Sequence, residues 1–391
     1  MRRDVVSICS VIFLADIVSG ILSPTFSLYA QSLGASLAFI GALSSIAGLT
    51  QLLTSMPIGA LSDRHGRKIV LTLGMLTFAA TTTLYALAPN AVLLIPGRVL
   101  AGLASVAMFS VGPAYVSDVA SGEERGLAFG IYSTAEGVGF GIGPLIGSAI
   151  AVNYGVPVSY LAAAAIACAG AALAAWGLHD RRPAPGAIAT RSFRLQREGL
   201  ARMLRDPRLM AGSLCNLLIG AGFGGAITNF FPVYAAANQV THEAINSMFA
   251  VRAFASTVSR LPSGAITSRL PSSAVMIAAL LLAMAAIFSM AQTNVIVVLS
   301  ALLIVEGFSY GMFLPAGQVF IAEISTPATR GQMMGAYGTA GSLSSALSPF
   351  VMGLIAQLWG VQAVFLFTAA LFAAGICLAG FLFNRPSARQ A

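Results

Sequence analysis

Apolar residues run along this chain in twelve blocks, each closed by a short polar or glycine-containing stretch. The blocks lie near residues 5–30, 37–61, 69–88, 92–117, 125–152, 158–178, 208–236, 243–266, 273–291, 295–320, 330–358 and 361–383. A helix rises 1.5 Å per residue, so about 20 apolar residues cover roughly 30 Å of hydrocarbon. The pattern therefore predicts twelve membrane-crossing helices, and it lacks the two-residue alternation of an outer-membrane barrel strand. The blocks are rich in Gly, Ala and Ser, which lets helices pack closely in lipid. Composition agrees: the 391 residues are 57% hydrophobic and 9% charged. A soluble chain of this length has too little polar surface to cover such a composition.

The net charge of +8 would suit a nucleic-acid partner if the basic residues were clustered for one, but their distribution excludes it. Apart from Arg98 and Arg252, every Lys and Arg falls at the termini or on alternate connections: 62–68, around 118–125, 179–208, 260–269 and around 330. The connections between them, near 31–36, 89–91, 153–157, 238–242, 292–294 and 359–361, carry none. The bundle thus has a basic end and a neutral end. The positive-inside rule predicts the basic end, with both termini, in the cytoplasm of a bacterial inner membrane. The first block follows Arg2 and Arg3 but holds Asp16 and outruns a signal peptide, so it reads as a helix of the mature protein. Cys9, Cys168, Cys215 and Cys377 lie far apart inside apolar blocks, a pattern without disulfide or metal spacing. His65, His179 and His242 are read as isolated, solvated residues at the membrane edges.

The chain repeats itself at an offset of 205 residues. Gly59 corresponds to Gly264, Gly102 to Gly307, Asp118 to Glu323, Arg125-Gly126 to Arg330-Gly331, Tyr132 to Tyr337, Pro144 to Pro349 and Gly155 to Gly360. This implies two six-helix bundles, 1–178 and 208–391, joined by a Pro- and Arg-rich linker at 179–207. In the linker, Phe193, Leu200 and Leu204 share one face of a possible interfacial helix, and a mobile tether fits equally well. Duplicated bundles suit alternating access, two rigid halves rocking about a site at their interface.

Residues 59–68, Gly-Ala-Leu-Ser-Asp-Arg-His-Gly-Arg-Lys, concentrate charge in a turn between two apolar blocks, and Lys68 is the only lysine in the chain. Here Gly59 would let a neighbouring helix approach, Gly66 would permit a tight reversal, and Asp63 would suit the N–H groups of a helix start. With the repeat, this spacing resembles the signature loop of the major facilitator superfamily, and in particular its 12-helix drug:proton antiporters. The resemblance covers the whole chain. It implies an all-α polytopic fold of two pseudo-symmetric six-helix bundles. It also implies a cytoplasmic latch in which Asp63 faces the start of helix 11 near Arg330, Arg67 reaches Asp118, and Arg64 adds charge. The second half has Ser268 in place of Asp63, so the latch looks one-sided. Arg98-x-x-x-Gly102 on helix 4 and Gly139, Gly143, Pro144 and Gly147 on helix 5 resemble two further motifs, the latter antiporter-associated. Helix 11 keeps only Ser344, Ser348 and Pro349 of the latter, which favours export.

Five ionisable residues lie deep in the blocks: Asp16, Arg98, Glu136, Arg252 and Glu306. Each costs roughly 2.5–3.5 kcal/mol at a helix centre, so they call for partners or a water-lined cavity. The resemblance makes helices 1, 4, 7 and 10 the cavity wall, bringing Asp16, Arg98 and Glu306 there, although Arg98 also lies near enough to the membrane edge to snorkel. Asp16 resembles the helix 1 acid of tetracycline and multidrug exporters. Glu136 and Arg252 come out at similar depth, about 16–18 Å from the basic end at 1.5 Å per residue. A Glu136–Arg252 bridge is therefore the first expectation and Arg252–Glu306 the competing one. Three acids against two arginines leave one carboxylate to exchange a proton, and Asp16 is the first choice. Phe223, Phe230, Phe231, Phe308 and Phe313 offer either an aromatic wall or lipid-facing packing.

The expected function is a monomeric proton-coupled exporter of small amphiphilic molecules. Its partners are substrate, protons and lipid, with no nucleic acid, metal or cofactor and no enzymatic chemistry. Two other readings stay open: proton-linked uptake or facilitated flux of a sugar, organic anion or siderophore, and a non-transporting sensor or scaffold.

Overall fold

The computed structural model describes residues 2–120, 124–179, 203–326 and 329–385. Most of the 179–207 linker, including Phe193 and Leu200, lies outside them, and Leu204 is exposed. The described chain is helical and holds twelve long helices. In the first half these are α1 Arg2–Ser32, α2 Leu37–His65, α3 Arg67–Ala86, α4 Ala91–Val119, α5 Glu124–Tyr154 and α6 Val156–Gly177. In the second half they are α7 Pro207–Ala237, α8 His242–Thr267, α9 Ser272–Met290, α10 Ile296–Ile324, α11 Arg330–Trp359 and α12 Val361–Phe383. Eleven are long and apolar enough to span a membrane. The exception, α8, carries Arg252, Arg260 and a run of Ser and Thr.

Local chemistry sets the boundaries. Ser36 and Thr241 cap α2 and α8 by accepting from Phe39 N (3.2 Å) and Ala244 N (3.3 Å). Asp206 caps α7 ahead of Pro207, which lacks the N–H that a first-turn residue cannot use. Gly155 and Gly360, one repeat apart, make equivalent turns at φ +87° and +86°, where a side chain would be strained. Pro113 breaks the regular course of α4 at Ser110 by removing one ladder donor and crowding Phe109. The Gly-rich centre of α7, Ala221–Ile227, is π-helical, a geometry often found at functional sites.

One apolar core draws only on residues 5–178 and another only on 209–382. The 205-residue offset reappears in their contacts. Gly102 abuts the Ala47 carbonyl, and Gly307 abuts the carbonyl of Arg252, which is residue 47 of the second repeat. Gly112 meets the Tyr132 hydroxyl as Gly317 meets that of Tyr337. Tyr29 stacks edge-on against Tyr160 as Tyr234 does against Phe365.

Across the two halves α2 packs along α11 and α5 along α8. The α2–α11 seam is tightest toward the neutral end, where Gly41 and Gly48 press on the Pro349 and Ser345 carbonyls and Ser45 accepts from Phe350 N (2.9 Å). Toward the basic end, a side chain added at Gly59, Gly264 or Gly335 would meet no atom within 4 Å. Gly59 therefore does not make the close helix approach expected of it. We predict that Gly48→Leu, whose side chain would collide with the α11 backbone, opens the neutral end. Thiol labelling of a cysteine at position 37 should then quicken several-fold, and unchanged labelling would count against this seam as the closed gate.

Candidate functional site

Gly66 alone separates α2 from α3, at φ +96° and ψ +144°, so the charged turn is a one-residue break rather than a loop. Asp63 and Arg64 still belong to α2. Arg67 pairs with Asp63 across the Gly66 break at 3.3 Å and donates to Asp118 at the end of α4. The Arg67–Asp118 contact is the one expected. Asp63 facing Arg330 is not what the structure holds: Asp63 turns to Arg67, and Arg330 donates to Ser325 Oγ at 3.4 Å. One repeat on, Ser272 donates to Glu323, so an uncharged hydroxyl stands where Arg67 stands. Arg64 is exposed. His179 is not isolated, because its Nδ1 lies 2.7 Å from Asp4 Oδ1.

The helix 5 glycines serve the first half internally. Side chains at Gly139 and Gly143 would run into the Phe13 and Ile17 carbonyls of α1 at 2.5 and 2.6 Å, and Gly20 meets the Phe140 carbonyl at 2.7 Å. Gly147 lies against Ile21, and Pro144 leaves α5 continuous through Tyr154. This seam sets Asp16 against α5, its Cβ 3.0 Å from where a Gly139 side chain would start. In α11, Ser344 and Ser348 line the corresponding seam with Gly220 and Gly225 of α7.

Two adjoining cavities lie between the halves. The smaller, about 380 Å³, is bordered by Asp16, Glu136, Arg252, Arg260, Ser256 and Thr257. Asp16 is 5% exposed, and its Oδ2 has no hydrogen-bond partner among the described residues. Glu136 forms no ion pair among them, and Arg260 faces the same space, donating to the Ser133 carbonyl at 3.4 Å with its buried Nε unpartnered. The larger cavity, about 560 Å³, is bordered by Ser19, Phe26, Arg98, Asn216, Thr228 and Asn229 among others. Gln51, Phe223 and Tyr310 border both cavities and form their common wall.

Arg252 pairs with Glu306, not with Glu136: Nε and Nη2 donate to the carboxylate at 2.5 and 3.0 Å. Both side chains are almost wholly buried, at 2% and 1% exposure. The guanidinium also lies 4.4 Å from the Phe223 ring centre and 5.4 Å from that of Tyr310. Glu306 borders neither cavity, contrary to expectation, because Arg252 stands in front of it. Arg98 does not snorkel. Its Nε donates to the Leu43 carbonyl at 2.9 Å and its guanidinium lies 4.3 Å over Phe26. Of the five phenylalanines, Phe223 lines the cavities; Phe230, Phe231 and Phe313 are core residues, and Phe308 is exposed.

Sequence reasoning missed Arg260, because a basic residue near a span end reads as a topology signal. The available signal was spacing. Ala253, Thr257 and Arg260 fall on one helical stripe, and that stripe faces Gly141, Gly137 and Ser133 of α5.

Two helical bundles enclosing polar, ionisable cavities between them define a membrane transporter. The profile described as Major Facilitator Superfamily matches residues 8–239 and 212–391, and the chain belongs to that superfamily. It is similar to the multidrug resistance protein MdtG of Enterobacter lignolyticus, 26% identical over 91% of this chain and 86% of that protein. It also resembles multidrug resistance protein 2 of Bacillus subtilis, 31% identical over 40% of this chain and 39% of the relative. With the class C tetracycline resistance protein of Escherichia coli it shares 36% identity over 32% and 31%. The chain thus aligns with only about two fifths of the length of several curated relatives. Among solved structures, the nucleoside transporter NupG matches with a TM-score of 0.83 at 16% identity, covering 97% of this chain and 100% of that one. An inward-facing bacterial homologue of the lysosomal transporter Spinster matches at 0.80 and 15%, covering 97% and 96%. At these identities the structural likeness establishes the fold alone.

Proposed function

We propose that this chain is a proton-coupled antiporter that exports small amphiphilic molecules by alternating access. The observation that carries this reading is the buried carboxylate of Asp16, whose Oδ2 has no hydrogen-bond partner among the described residues, in a cavity that shares a wall with a larger one. A carboxylate in such a site exists at the expense of lost hydration, so it takes up a proton readily when water reaches it from the acidic side. Its neighbours supply the rest. Glu136 offers a second acceptor in the same space, and Arg260 offers a fixed positive charge that helps expel the proton when the site turns to the other side.

The wall of Gln51, Phe223 and Tyr310 lets an occupant of the larger cavity bear on the smaller one, which is the coupling an antiporter needs. Multidrug relatives such as MdtG and the small-residue α1–α5 seam support export. The distribution of basic residues supports a basic end in the cytoplasm of the inner membrane, with both termini there. The seam closed at the neutral end supports an inward-facing conformation. The gradient suffices as driving force without a cofactor, and one chain encloses a complete cavity, so we take the working unit to be a monomer.

The test is proton movement in everted vesicles energised to an acidic interior. Adding a transported amphiphile should release protons in proportion to its uptake. Uptake with no proton movement would sink the antiport reading, and substrate accumulation by intact cells under the same gradient would sink export.

A further inference from the structure

Resting on that reading, we infer that the larger cavity takes an amphiphile with an anionic head, a carboxylate, and that Arg98 is its counter-ion. Among the described residues Arg98 is the only charged one on the wall of this cavity; the acids Asp16 and Glu136 border its neighbour instead. The guanidinium has five N–H donors. One is committed to the Leu43 carbonyl and one face to Phe26, and the Tyr85 hydroxyl stands beside the guanidinium, while no carboxylate lies within ion-pair distance among the described residues. The guanidinium still has more donors than the Leu43 carbonyl and the Tyr85 hydroxyl use, and they suit a carboxylate. A cation on a cavity wall with no counter-charge beside it favours an anionic occupant and disfavours a cationic one.

Other atoms fit the same occupant. Ser23 Oγ and Thr228 Oγ1 are buried, belong to residues that border the cavity and have no hydrogen-bond partner among the described residues. Either hydroxyl can donate to a carboxylate oxygen. The two asparagines are already engaged, Asn216 with the Tyr337 carbonyl at 2.9 Å and Asn229 with Ser44 at 2.5 Å, so they frame the cavity and leave the head group to Arg98, Ser23 and Thr228. Phe78, Ile219, Phe223 and Leu314 supply an apolar wall for the remainder of the molecule. An inside-negative membrane potential also drives an anion outward, so this head group suits export.

The experiment measures binding to the purified protein in lipid nanodiscs, with no gradient. Three probes share one naphthyl-alkyl body and end in a carboxylate, a carboxamide or a trimethylammonium group. The carboxylate should bind at least about tenfold tighter than the carboxamide, with the ammonium weakest. Arg98→Gln should bring the carboxylate down to the carboxamide's affinity and leave the carboxamide within about twofold, which a misfolded protein would not. Ser105→Asp keeps Arg98 and puts an acid on the same face of α4. It should abolish the carboxylate preference even if Arg98→Gln does not fold. Tightest binding of the ammonium probe, or a carboxylate preference that survives either folded variant, overturns the assignment. Because no gradient is used, a carboxylate preference found in a protein that moves no protons would support this assignment while overturning antiport.

Discussion

Proteoliposomes carrying Asp16→Asn are expected to exchange substrate down its own gradient while moving no protons, so that uphill transport falls to the level of empty liposomes. Asparagine matches the shape of aspartate and stays neutral, so it fixes the site in its protonated form. The seam around it is backbone against backbone, with Gly139 and Gly143 on the Phe13 and Ile17 carbonyls, so the substitution leaves the packing untouched. Expression and thermal midpoint should match the parent. Glu136→Gln is the comparison, since Glu136 borders the same cavity. Normal coupling in Asp16→Asn together with loss in Glu136→Gln would move the proton to α5, and normal coupling in both would remove this cavity from the mechanism.

Glu306→Gln is expected to have a different effect: loss of stability by about 3–5 kcal/mol, the usual cost of stripping one partner from a buried ion pair. The carboxylate takes two hydrogen bonds from Arg252, and both side chains are almost wholly buried. Without it the guanidinium has no ion-pair partner among the described residues and rests on the rings of Phe223 and Tyr310. Replacing both members, Arg252→Met with Glu306→Leu, should restore most of the lost stability because no charge is then buried alone. Scanning fluorimetry of the solubilised protein reads both. A parental midpoint for Glu306→Gln would show that the pair does not hold α8 to α10, and a double variant as unstable as the single would point to packing instead of charge.

The architecture was legible because it rests on period and repetition. Block length gives the spans, and the 205-residue offset that pairs Gly102 with Gly307 pairs their contacts as well, with the carbonyls of residues 47 and 252. The site was legible as a set of buried charges but not as a set of partners. Counting residues along α8 gives the height of Arg252 and says nothing of its azimuth. Successive residues are about 100° apart around a helix of 3.6 residues per turn, so Arg252 points well away from the face that Ala253 turns to α5. Arg252 therefore meets Glu306 on α10, and Arg260, farther down the α5-facing stripe, joins Glu136. The latch was half legible. Arg67 and Asp118 meet inside one bundle, whereas an Asp63 contact across the halves would depend on conformation, and here the α2–α11 contact is tight toward the other end.

The α1–α5 seam fixes what can change during a transport cycle. Where two backbones touch through Gly20, Gly139 and Gly143, neither sliding nor rotation is available without a collision. The backbones that carry Asp16 and Glu136, one on each helix, are then a single rigid insert, and the carboxylates move relative to each other only as far as their side chains turn. Transport on such a frame works by shutters. The backbone beneath the carboxylates stays put, and the cycle decides which compartment's water they see.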